Sequence, residues 1–334
     1  MYILKPYDDA LEEILKHGIR KSNRTGVDTL AVNGIQKKYN LQSHFPLLTK
    51  RKVWPTSVFA ELIWFLSGST NNNDLKALGC NFWTPWVSEE FEKKHGFESG
   101  DFGPIYGFQL RHSGGDYRKV RLLEKKIACL QLELNQLRTP KTLTDEARDI
   151  IFKIVELQGE LNECSGFDQL AYMQNEIRSN PSSRRIMFSL WNMKDFELMR
   201  LPPCHFCFQL LLDGNNRLSG ILTQRSCDFP VGVPANIQFY SALTILFAKI
   251  GGFEPYEFIH NANDCHIYVD QIPAVEEYLS RSEVDSPKLK LIDRKKAVFG
   301  NNLINKSSIL DYKVEDFIIE NYNPQPAIKI PVAV

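Results

Sequence analysis

The segment LPPCHFCFQL contains the residue best suited to attack an electrophile, Cys204. A cysteine attacks as the thiolate, and its free pKa lies above neutral, so the reactive form needs nearby cations or hydrogen bonds to the sulfur. The cations that the sequence offers are His205, Arg184, Arg185 and Arg225. A lone cysteine is more often a small buried apolar residue. The local sequence leaves both interpretations open and favours the buried residue.

Cys204 and Cys207 also form a C-x-x-C pair. A zinc site needs a second pair of ligands, and a thioredoxin-like motif needs its cysteines at the start of a helix. The segment is instead typical of a strand, whose alternation would place the two cysteines on opposite faces. We therefore predict no metal site. The seven cysteines, an odd number with irregular spacing, favour reduced thiols over a disulfide framework.

The loop QRSCDFPVGVPANI groups an arginine, a serine, an aspartate and an asparagine within a short stretch. Arg225 and Ser226 provide a guanidinium fork and a hydroxyl, which suit a phosphate. Asn236 offers an acceptor and donors together, which suit the edge of a pyrimidine or an amide. Alternatively, Asn236 directly precedes an apolar helix and acts as its N-cap. Both interpretations stay open.

Two adjacent arginines, Arg184 and Arg185, enter the strand-like run RRIMFSLWN. Because neighbouring side chains of a strand point to opposite faces, both cannot serve one site through simple alternation. One of them could instead reach across a subunit boundary.

Two further segments add polar side chains. Arg24 lies in a Thr-Gly loop and is another candidate phosphate ligand. His266 and Tyr268 are two positions apart in the strand-like DCHIYVDQ, so they share a face and could bind a sugar hydroxyl. Taken alone, this pair is more often a satisfied part of a core.

The apolar helix SVFAELIWFLSGST contains one acid, Glu61. A carboxyl group in apolar surroundings is costly unless it is hydrogen-bonded or functional. Desolvation raises its pKa, which favours a role in proton transfer.

The whole chain has 334 residues, of which 43% are hydrophobic and 24% charged, as in ordinary globular proteins. Forty basic residues balance forty acidic ones, so DNA binding is not expected. No apolar run reaches about 18 residues, which predicts no membrane span. The N-terminal segment carries acids where a signal peptide needs an apolar stretch. We therefore predict a cytoplasmic or nuclear protein, in the host cytoplasm for a viral chain.

The elements that must position these residues mix helices and strands. SVFAELIWFLSGST and QFYSALTILFAKIGG predict helices that end at Gly68 and at Gly251 and Gly252. Strand-like runs lie between and after them. Because there is no regular βαβ rhythm, we predict an α+β (mixed α/β) fold.

The stretch 119–166 differs from its surroundings, since it is charged and poor in aromatic residues. Its apolar residues recur at spacings of four and three: Leu123, Ile127, Leu130, Leu134 and Leu137, then Ile150, Ile154, Leu157 and Leu161. A turn around Pro140 with N-cap candidates Thr142 and Thr144 separates the two series. This pattern predicts an antiparallel helical hairpin with a coiled-coil-like seam. A surface insertion that buries only its own seam is favoured over an oligomerisation or docking arm.

Many motifs in order resemble the thymidylate synthase family over nearly the whole chain. They are RTG, FPLLT, ELIWFLSGSTN, GDFGPIYGFQLRH, SSRRIMFSLWN, LPPCH, QRSCDFPVGVPANI, DCHIYVDQ and the tail YNPQPAIKIPVAV. The resemblance implies a single catalytic domain over 1–334, with a large mixed sheet flanked by helices and the hairpin inserted into it.

The resemblance also implies a reaction: methylation of dUMP to dTMP, with 5,10-methylenetetrahydrofolate as donor of the carbon and of a hydride. Cys204 would attack C6 of the pyrimidine. Further implied roles are phosphate binding (Arg24, Arg225, Ser226), a phosphate pair from the second subunit of a homodimer (Arg184, Arg185), pyrimidine recognition (Asn236), ribose contacts (His266, Tyr268), a proton and water network (Glu61, Tyr106, His205) and the folate side (Trp83, Asp228, Gly232, Val334). The tail PVAV would close over the folate.

Several positions depart from the family pattern. The insertion is longer than expected, and Thr84, Pro85 and Ala235 lie close to the implied folate side. A related 5-hydroxymethylase, in which water ends the reaction, is therefore an alternative. Asn236 favours dUMP over dCMP, because the cytosine-specific type has an aspartate at this position. A non-catalytic nucleotide- or RNA-binding protein is a second alternative, although it would not need Cys204, Glu61 and the tail together.

Overall fold

The computed structural model describes residues 3–137, 144–293 and 308–332, and the backbone of 297–299 and 302–304. The helices are α1 (Lys5–His17), α2 (Pro55–Ser67), α3 (Asn72–Ala77), α4 (Glu89–His95), α5 (Tyr106–Arg111), α6 (Tyr117–Leu137), α7 (Asp145–Cys164), α8 (Gln169–Ser179), α9 (Gly232–Gly251) and α10 (Ile272–Ser280). The strands are β1 (Ile19–Lys21), β2 (Thr29–Asn40), β3 (Met187–Ser189), β4 (His205–Leu212), β5 (Arg217–Asp228), β6 (Glu254–Tyr268), β7 (Lys288–Leu291), β8 (Ala297–Phe299), β9 (Asn302–Ile304) and β10 (Phe317–Glu320).

Six strands form the main sheet in the order β1-β2-β6-β5-β4-β3. β5 and β6 are parallel and are connected through α9, while the other neighbouring pairs are antiparallel. Two antiparallel pairs, β7 with β10 and β8 with β9, lie outside this sheet. The prediction of an α+β fold with a large mixed sheet flanked by helices is confirmed.

The two apolar helices occupy the core, as predicted. α2 has Pro55 at its first position and ends at Gly68, whose φ of 83° closes the helix in the left-handed region. α9 ends in the same way at Gly252, with φ of 77°. Trp64 of α2 and Tyr240 of α9 are fully buried, and the Tyr240 ring packs against that of Phe208 in β4 at 5.1 Å.

The faces of the sheet differ in their exposure. On β5, Leu218, Gly220, Leu222 and Gln224 are buried, whereas the residues between them are half-buried. A Cβ atom at Gly220 would lie 2.1 Å from Thr244 Oγ1, so only glycine lets α9 approach this closely. One face therefore packs against α9, and the opposite face is left incompletely covered in the single chain.

The predicted helical hairpin consists of α6 and α7. Thr144 is the N-cap of α7 and accepts a hydrogen bond from Ala147 N at 3.2 Å, while Pro140 and Thr142 lie outside the described residues. The seam forms its own apolar cluster, separate from the main core: Ile127, Leu134, Ala147, Ile150 and Ile154, with Leu130, Leu137, Ile151, Leu157 and Leu161 against it. The prediction of two helices with an apolar seam is thus confirmed.

The base of the hairpin packs against the rest of the protein. Tyr117 and Val120 pack with Phe108 of α5 in a third small cluster. Arg121 donates a hydrogen bond to the carbonyl oxygen of Gly68. The two ends of the hairpin meet where Asp116 N donates to Cys164 O at 3.0 Å. The helices therefore leave and re-enter the domain at one place.

Candidate active site

Cys204 lies directly before β4, at the point where the chain enters the sheet. Its amide donates to Tyr106 Oη at 2.8 Å, and its carbonyl oxygen accepts from Arg225 N at 2.8 Å. The prediction that Cys204 and Cys207 alternate within one strand is wrong, because the strand begins at His205 and its register shifts between His205 and Cys207. Cys204 instead lies just before the first residue of β4, and hydrogen bonds from its amide to Tyr106 and from Arg225 to its carbonyl fix its backbone.

Arg225 binds the turn that carries Cys204. Its Nε donates to Pro203 O and its Nη2 to Pro202 O, both at 2.9 Å, and its guanidinium lies 5.5 Å from the centre of the Trp191 ring. Burial raises the pKa of the Cys204 thiol, while the charge of Arg225, the hydroxyl of Tyr106 and the charge of Arg24 act in the opposite direction. Of the four cations predicted to stabilise the thiolate, Arg225 acts on Cys204, and Tyr106 and Arg24 act in the same direction against the desolvation penalty.

Glu61 is buried on α2 and has one close partner. Trp83 Nε1 donates to Glu61 Oε1 at 2.6 Å. Burial raises the pKa of Glu61 to about 7, although the Trp83 hydrogen bond opposes the rise. At neutral pH this carboxyl group is therefore close to half-protonated, which suits a group that both donates and accepts protons.

His205 and Tyr106 form an aromatic layer beside Cys204. Their ring centres are 4.6 Å apart, and Phe65 stacks on Tyr106 at 4.8 Å. His205 Nδ1 is 2.7 Å from Tyr240 Oη. Burial, together with the nearby His260, lowers the pKa of His205 to about 3, so its ring is neutral at physiological pH. A neutral imidazole can relay a proton but carries no charge that would stabilise the thiolate.

Asn236 belongs to α9 rather than preceding it. The helix begins at Gly232, so the alternative interpretation of Asn236 as an N-cap is wrong. Asn236 Oδ1 accepts from Gln224 Nε2 at 3.0 Å, and Gln224 Oε1 is 3.0 Å from His260 Nε2. Since Gln224 occupies the oxygen of the Asn236 amide, this chain of contacts fixes how the amide is oriented.

Asp228 ends β5 beside the C-terminal tail. Its Oδ1 accepts from Val231 N at 3.3 Å and its Oδ2 from Gln271 Nε2 at 3.4 Å. Burial raises the pKa of Asp228, and the neighbouring His266 and Gln271 oppose the rise. Gly232 opens α9 four residues after Asp228. Val334, which was predicted on the same side, lies outside the described residues.

The predicted ribose and phosphate ligands lie at the ends of β2, β5 and β6. His266 pairs with Asp228 across β5 and β6, and its ring meets that of Tyr268 edge-on at 5.3 Å. Tyr268 lies near Thr25 and Arg24, and burial raises its pKa. Ser226 pairs with Asp264, the neighbour of His266 Nδ1 at 3.1 Å. Residues far apart in the sequence thus lie close together at one end of these strands, where β2 begins and β5 and β6 end.

Arg184 and Arg185 are exposed and precede the strand. Because β3 begins at Met187, the argument from strand alternation does not apply to them. They line a surface cavity of about 570 Å³ together with Tyr172, Glu176, Asn180, Ser182 and Ser183. The other predicted site residues do not line this cavity, so the two arginines point to a different surface of the single chain.

A family model described as "Thymidylate synthase" matches residues 5–334. The chain belongs to the thymidylate synthase family. The resemblance found in the motifs is therefore confirmed, as is the prediction that the protein is an enzyme. The alternative of a non-catalytic binding protein is not favoured.

Curated relatives from a mammal, a virus and a yeast support the same family. The chain is 37% identical over 331 residues to the thymidylate synthase of Homo sapiens, covering 98% of this chain and 90% of the human protein. It is 36% identical to that of Varicella-zoster virus (strain Dumas), over 98% of this chain and 93% of the viral protein. The thymidylate synthase of Saccharomyces cerevisiae (strain ATCC 204508 / S288c) is 36% identical, with coverage of 98% and 96%.

The sequence analysis assigned no role to four buried polar residues that contact the predicted site residues or one another: Gln224, Tyr240, His260 and Gln271. Each is buried and binds a partner at least twelve positions away in the chain. Tyr240 and His260 lie in largely apolar segments, whereas Gln224 and Gln271 lie at the ends of motifs in which other polar residues were assigned the roles. The signal that could have found them is a polar residue at a position that the pattern assigns to the core, as with Glu61.

Two kinds of feature are missing from the described part of the chain: a cluster of metal ligands and a membrane-spanning helix. Across residues 3–137, 144–293 and 308–332, no three His, Cys, Asp or Glu side chains are grouped so that they could bind a metal ion. Within the same ranges, no helix combines the length and apolarity needed to cross a bilayer. All seven cysteines are free, as predicted.

Proposed function

We propose that this member of the thymidylate synthase family converts dUMP to dTMP in the cytoplasm, with 5,10-methylenetetrahydrofolate as co-substrate. The observation that carries the proposal is the placement of Cys204 between Tyr106 and Arg225 in a chain whose relatives are named thymidylate synthases. The names of these relatives do not favour the 5-hydroxymethylase alternative.

In the proposed first step, the thiolate of Cys204 bonds to C6 of the pyrimidine. The electron pair of the C5–C6 double bond moves towards C5 and the C4 carbonyl oxygen, so that C5 becomes the nucleophile. Arg225 and Arg24 favour the thiolate through their charge. When the covalent bond to Cys204 breaks at the end of the cycle, the same charges stabilise the leaving thiolate.

Glu61 is proposed to move the protons that this chemistry requires. Its raised pKa lets it protonate the developing oxygen at C4, directly or through a water, and take the proton back as the ring recovers. Trp83 holds the carboxyl group from one side. His205 and Tyr240 extend the network of proton carriers behind Tyr106.

The nucleotide would lie across the ends of β5 and β6, next to the start of β2. We assign its phosphate to Arg24, Arg225 and Ser226, its ribose hydroxyl to His266 and Tyr268, and its pyrimidine edge to Asn236. An asparagine amide can match the N–H and C=O groups of uracil, and its fixed orientation favours dUMP over dCMP.

The folate supplies the one-carbon unit and a hydride when it is bound. The residues fit such a group, because the buried carboxyl of Asp228 is an acceptor suited to the N–H groups of a heteroaromatic ring. Trp83, Gly232 and the tail that ends in Val334 would line the remaining sides. Exclusion of bulk water by the tail keeps hydride transfer ahead of attack by water.

The enzyme is proposed to act as a homodimer. The sheet face opposite α9 is incompletely covered in the single chain, and Trp191 and Met187 are 38% and 39% exposed beside it. A second copy that covered this face would also give Arg184 and Arg185 a partner site for a phosphate.

The test is incubation with dUMP and 5,10-methylenetetrahydrofolate, with analysis of both products. We expect dTMP and dihydrofolate in equal amounts, since the hydride comes from the folate. Tetrahydrofolate with 5-hydroxymethyl-dUMP would instead show that water ends the reaction. A parallel incubation with dCMP should give no turnover.

A further inference from the structure

The side-chain amide of Gln271 joins three parts of the site. Gln271 is fully buried at the start of α10. Its Nε2 donates to Asp228 Oδ2 at 3.4 Å and to Pro331 O at 3.0 Å. Its Oε1 accepts from Tyr268 N at 3.1 Å. One amide therefore contacts the end of β5, the end of β6 and the C-terminal tail.

These contacts use the NH₂ group of Gln271 and one lone pair of its Oε1, so they distinguish the two possible orientations of the amide. An NH₂ group has two N–H donors, and here each one faces an oxygen. A flip of the amide would place its oxygen against the carboxyl group of Asp228 and the carbonyl of Pro331. It would also place its NH₂ group against the backbone N–H of Tyr268. Gln271 thus binds the tail and Asp228 at the same time in a single arrangement.

The tail has two anchoring regions of different kinds. Up to Pro326 it is held away from Asp228: Gln325 N donates to Thr49 O, Gln325 Nε2 to Ser282 O, and Arg281 Nη1 to Pro326 O. In the described part of the tail, the next hydrogen bond is that from Gln271 to Pro331. Among the four residues between these anchors, Ile328 and Ile330 pack against the main core, and Gln271 provides the hydrogen bond that follows them.

We propose that Gln271 is a positioning residue that couples the C-terminal tail to Asp228, so that the tail shields the folate side while the carboxyl group is in place. This inference rests on the proposed function. The coupling acts before hydride transfer: a tail held at Pro331 keeps water from reaching the methylene carbon attached to C5. If water adds there after the bond from this carbon to the folate nitrogen has broken, the carbon gains a hydroxyl group and the folate leaves unoxidised as tetrahydrofolate. The remaining proton of the water passes to the thiolate of Cys204 as the bond between sulfur and C6 breaks.

The test compares Gln271→Met with the matched variant Gln325→Met. Methionine keeps the volume of either glutamine but removes its hydrogen bonds. Gln325 anchors the same tail through an amide–carbonyl bond without a contact to Asp228. In Gln271→Met we expect the KM for the folate to rise roughly tenfold, in keeping with the loss of a hydrogen bond to a charged group. The KM for dUMP should rise less than the KM for the folate, because this variant also loses the contact to Tyr268 N, and the share of 5-hydroxymethyl-dUMP among the products should rise.

A second variant separates positioning from folding. Gln271→Glu keeps an oxygen that accepts from Tyr268 N but has at most one donor, so it cannot bind Asp228 and Pro331 at the same time and should reproduce the change in folate KM and in products. Hydrogen exchange of residues 327–332, measured without substrates, should speed up in both Gln271 variants and not in Gln325→Met. This measurement does not depend on the reaction, so it stands even if the wild-type enzyme forms no dTMP.

Three results would overturn the inference. The first is unchanged exchange of the tail in Gln271→Met and Gln271→Glu. The second is an unchanged product ratio in both variants. The third is an equal change in Gln325→Met, which would show that any loosening of the tail has the same effect.

Discussion

The helical hairpin and the catalytic core bury their side chains in different ways. The hairpin seam contains only apolar residues and forms a cluster of its own, while Phe152 on its outer side is 71% exposed. The core buries Glu61, His205, Gln224 and Gln271 and gives each one a hydrogen-bond partner. Apolar packing tolerates substitution of similar volume, whereas a buried polar pair depends on single atoms.

The boundary between the two regions lies within α6. Tyr117, Val120 and Arg121 at its start pack against the core, and the seam cluster begins at Ile127. The insertion predicted over 119–166 would therefore cut through residues on which the core depends. Substitutions on the core side of this boundary should therefore change activity or stability much more than substitutions on the hairpin side.

Cys204→Ser should have the largest effect, because the chemistry of the core rests on one sulfur atom. We expect turnover to fall by at least about a thousandfold, since a serine hydroxyl is a far weaker nucleophile at neutral pH. The affinity for dUMP, measured by calorimetry, should change little because the proposed phosphate and ribose ligands remain. Turnover near the wild-type rate would contradict covalent catalysis by Cys204.

Glu61→Gln should lower kcat by about a hundredfold while it makes the fold more stable in alkaline solution. Burial raises the folded-state pKa of Glu61 to about 7 from its ordinary value of 4.5. The stability linked to this proton is fully present below the ordinary value and is lost as the pH rises through 7. At about pH 8 the variant should therefore gain up to about 3 kcal/mol in the free energy of unfolding.

Chemical denaturation at several pH values measures this gain. The two proteins should have similar stabilities at about pH 4 and should diverge above it. A constant difference at all pH values would show that Glu61 is not protonated on folding.

Tyr117→Phe tests the boundary from the core side. The Tyr117 hydroxyl lies 2.5 Å from Asp101 Oδ1 and 2.7 Å from Thr70 Oγ1. Loss of a hydrogen bond to a carboxylate should cost about 1.5–3 kcal/mol in the free energy of unfolding. Leu132→Ala, at a position on the same helix that is 65% exposed, should change stability by less than about 0.5 kcal/mol. Equal effects of both changes would place the boundary elsewhere.

Removal of residues 126–158 should have the smallest effect on activity. A linker of about four Gly and Ser residues spans roughly 13 Å, enough to join two antiparallel helices. The base with Val120, Leu123 and Leu161 remains, so we expect kcat and KM to stay within about a factor of two. Sedimentation analysis serves as the second measurement. A loss of dimers or of activity would make the hairpin an assembly element.

The sequence was sufficient where a local pattern determines the structure. The apolar runs and glycine ends predicted α2 and α9, and the alternating spacings of four and three predicted the seam of the hairpin. Of the two predicted N-cap candidates, Thr144 has this role in the structure, and Thr142 lies outside the described residues. The motifs identified the family, because many of them occur in the right order.

The sequence was not sufficient where long-range pairing decides. The parallel pairing of β5 and β6 and the contacts of His205 with Tyr240 join residues that no local pattern links. One of the two open interpretations placed Asn236 directly before a helix, because the apolar run begins after it, but α9 begins at Gly232. The arginine pair was assigned to a strand that begins only at Met187.

The hydrogen bonds of Arg225 to the carbonyls of Pro202 and Pro203 have a thermodynamic consequence. Two of the five guanidinium N–H groups hold the turn before Cys204, and the same cation is the proposed partner of the nucleotide phosphate. An anion that binds Arg225 in the position seen here also stabilises the turn at Pro202 and Pro203. By thermodynamic linkage, an ordered turn in the same way strengthens binding of the anion. Anion affinity and the order of the nucleophile's backbone should therefore rise and fall together.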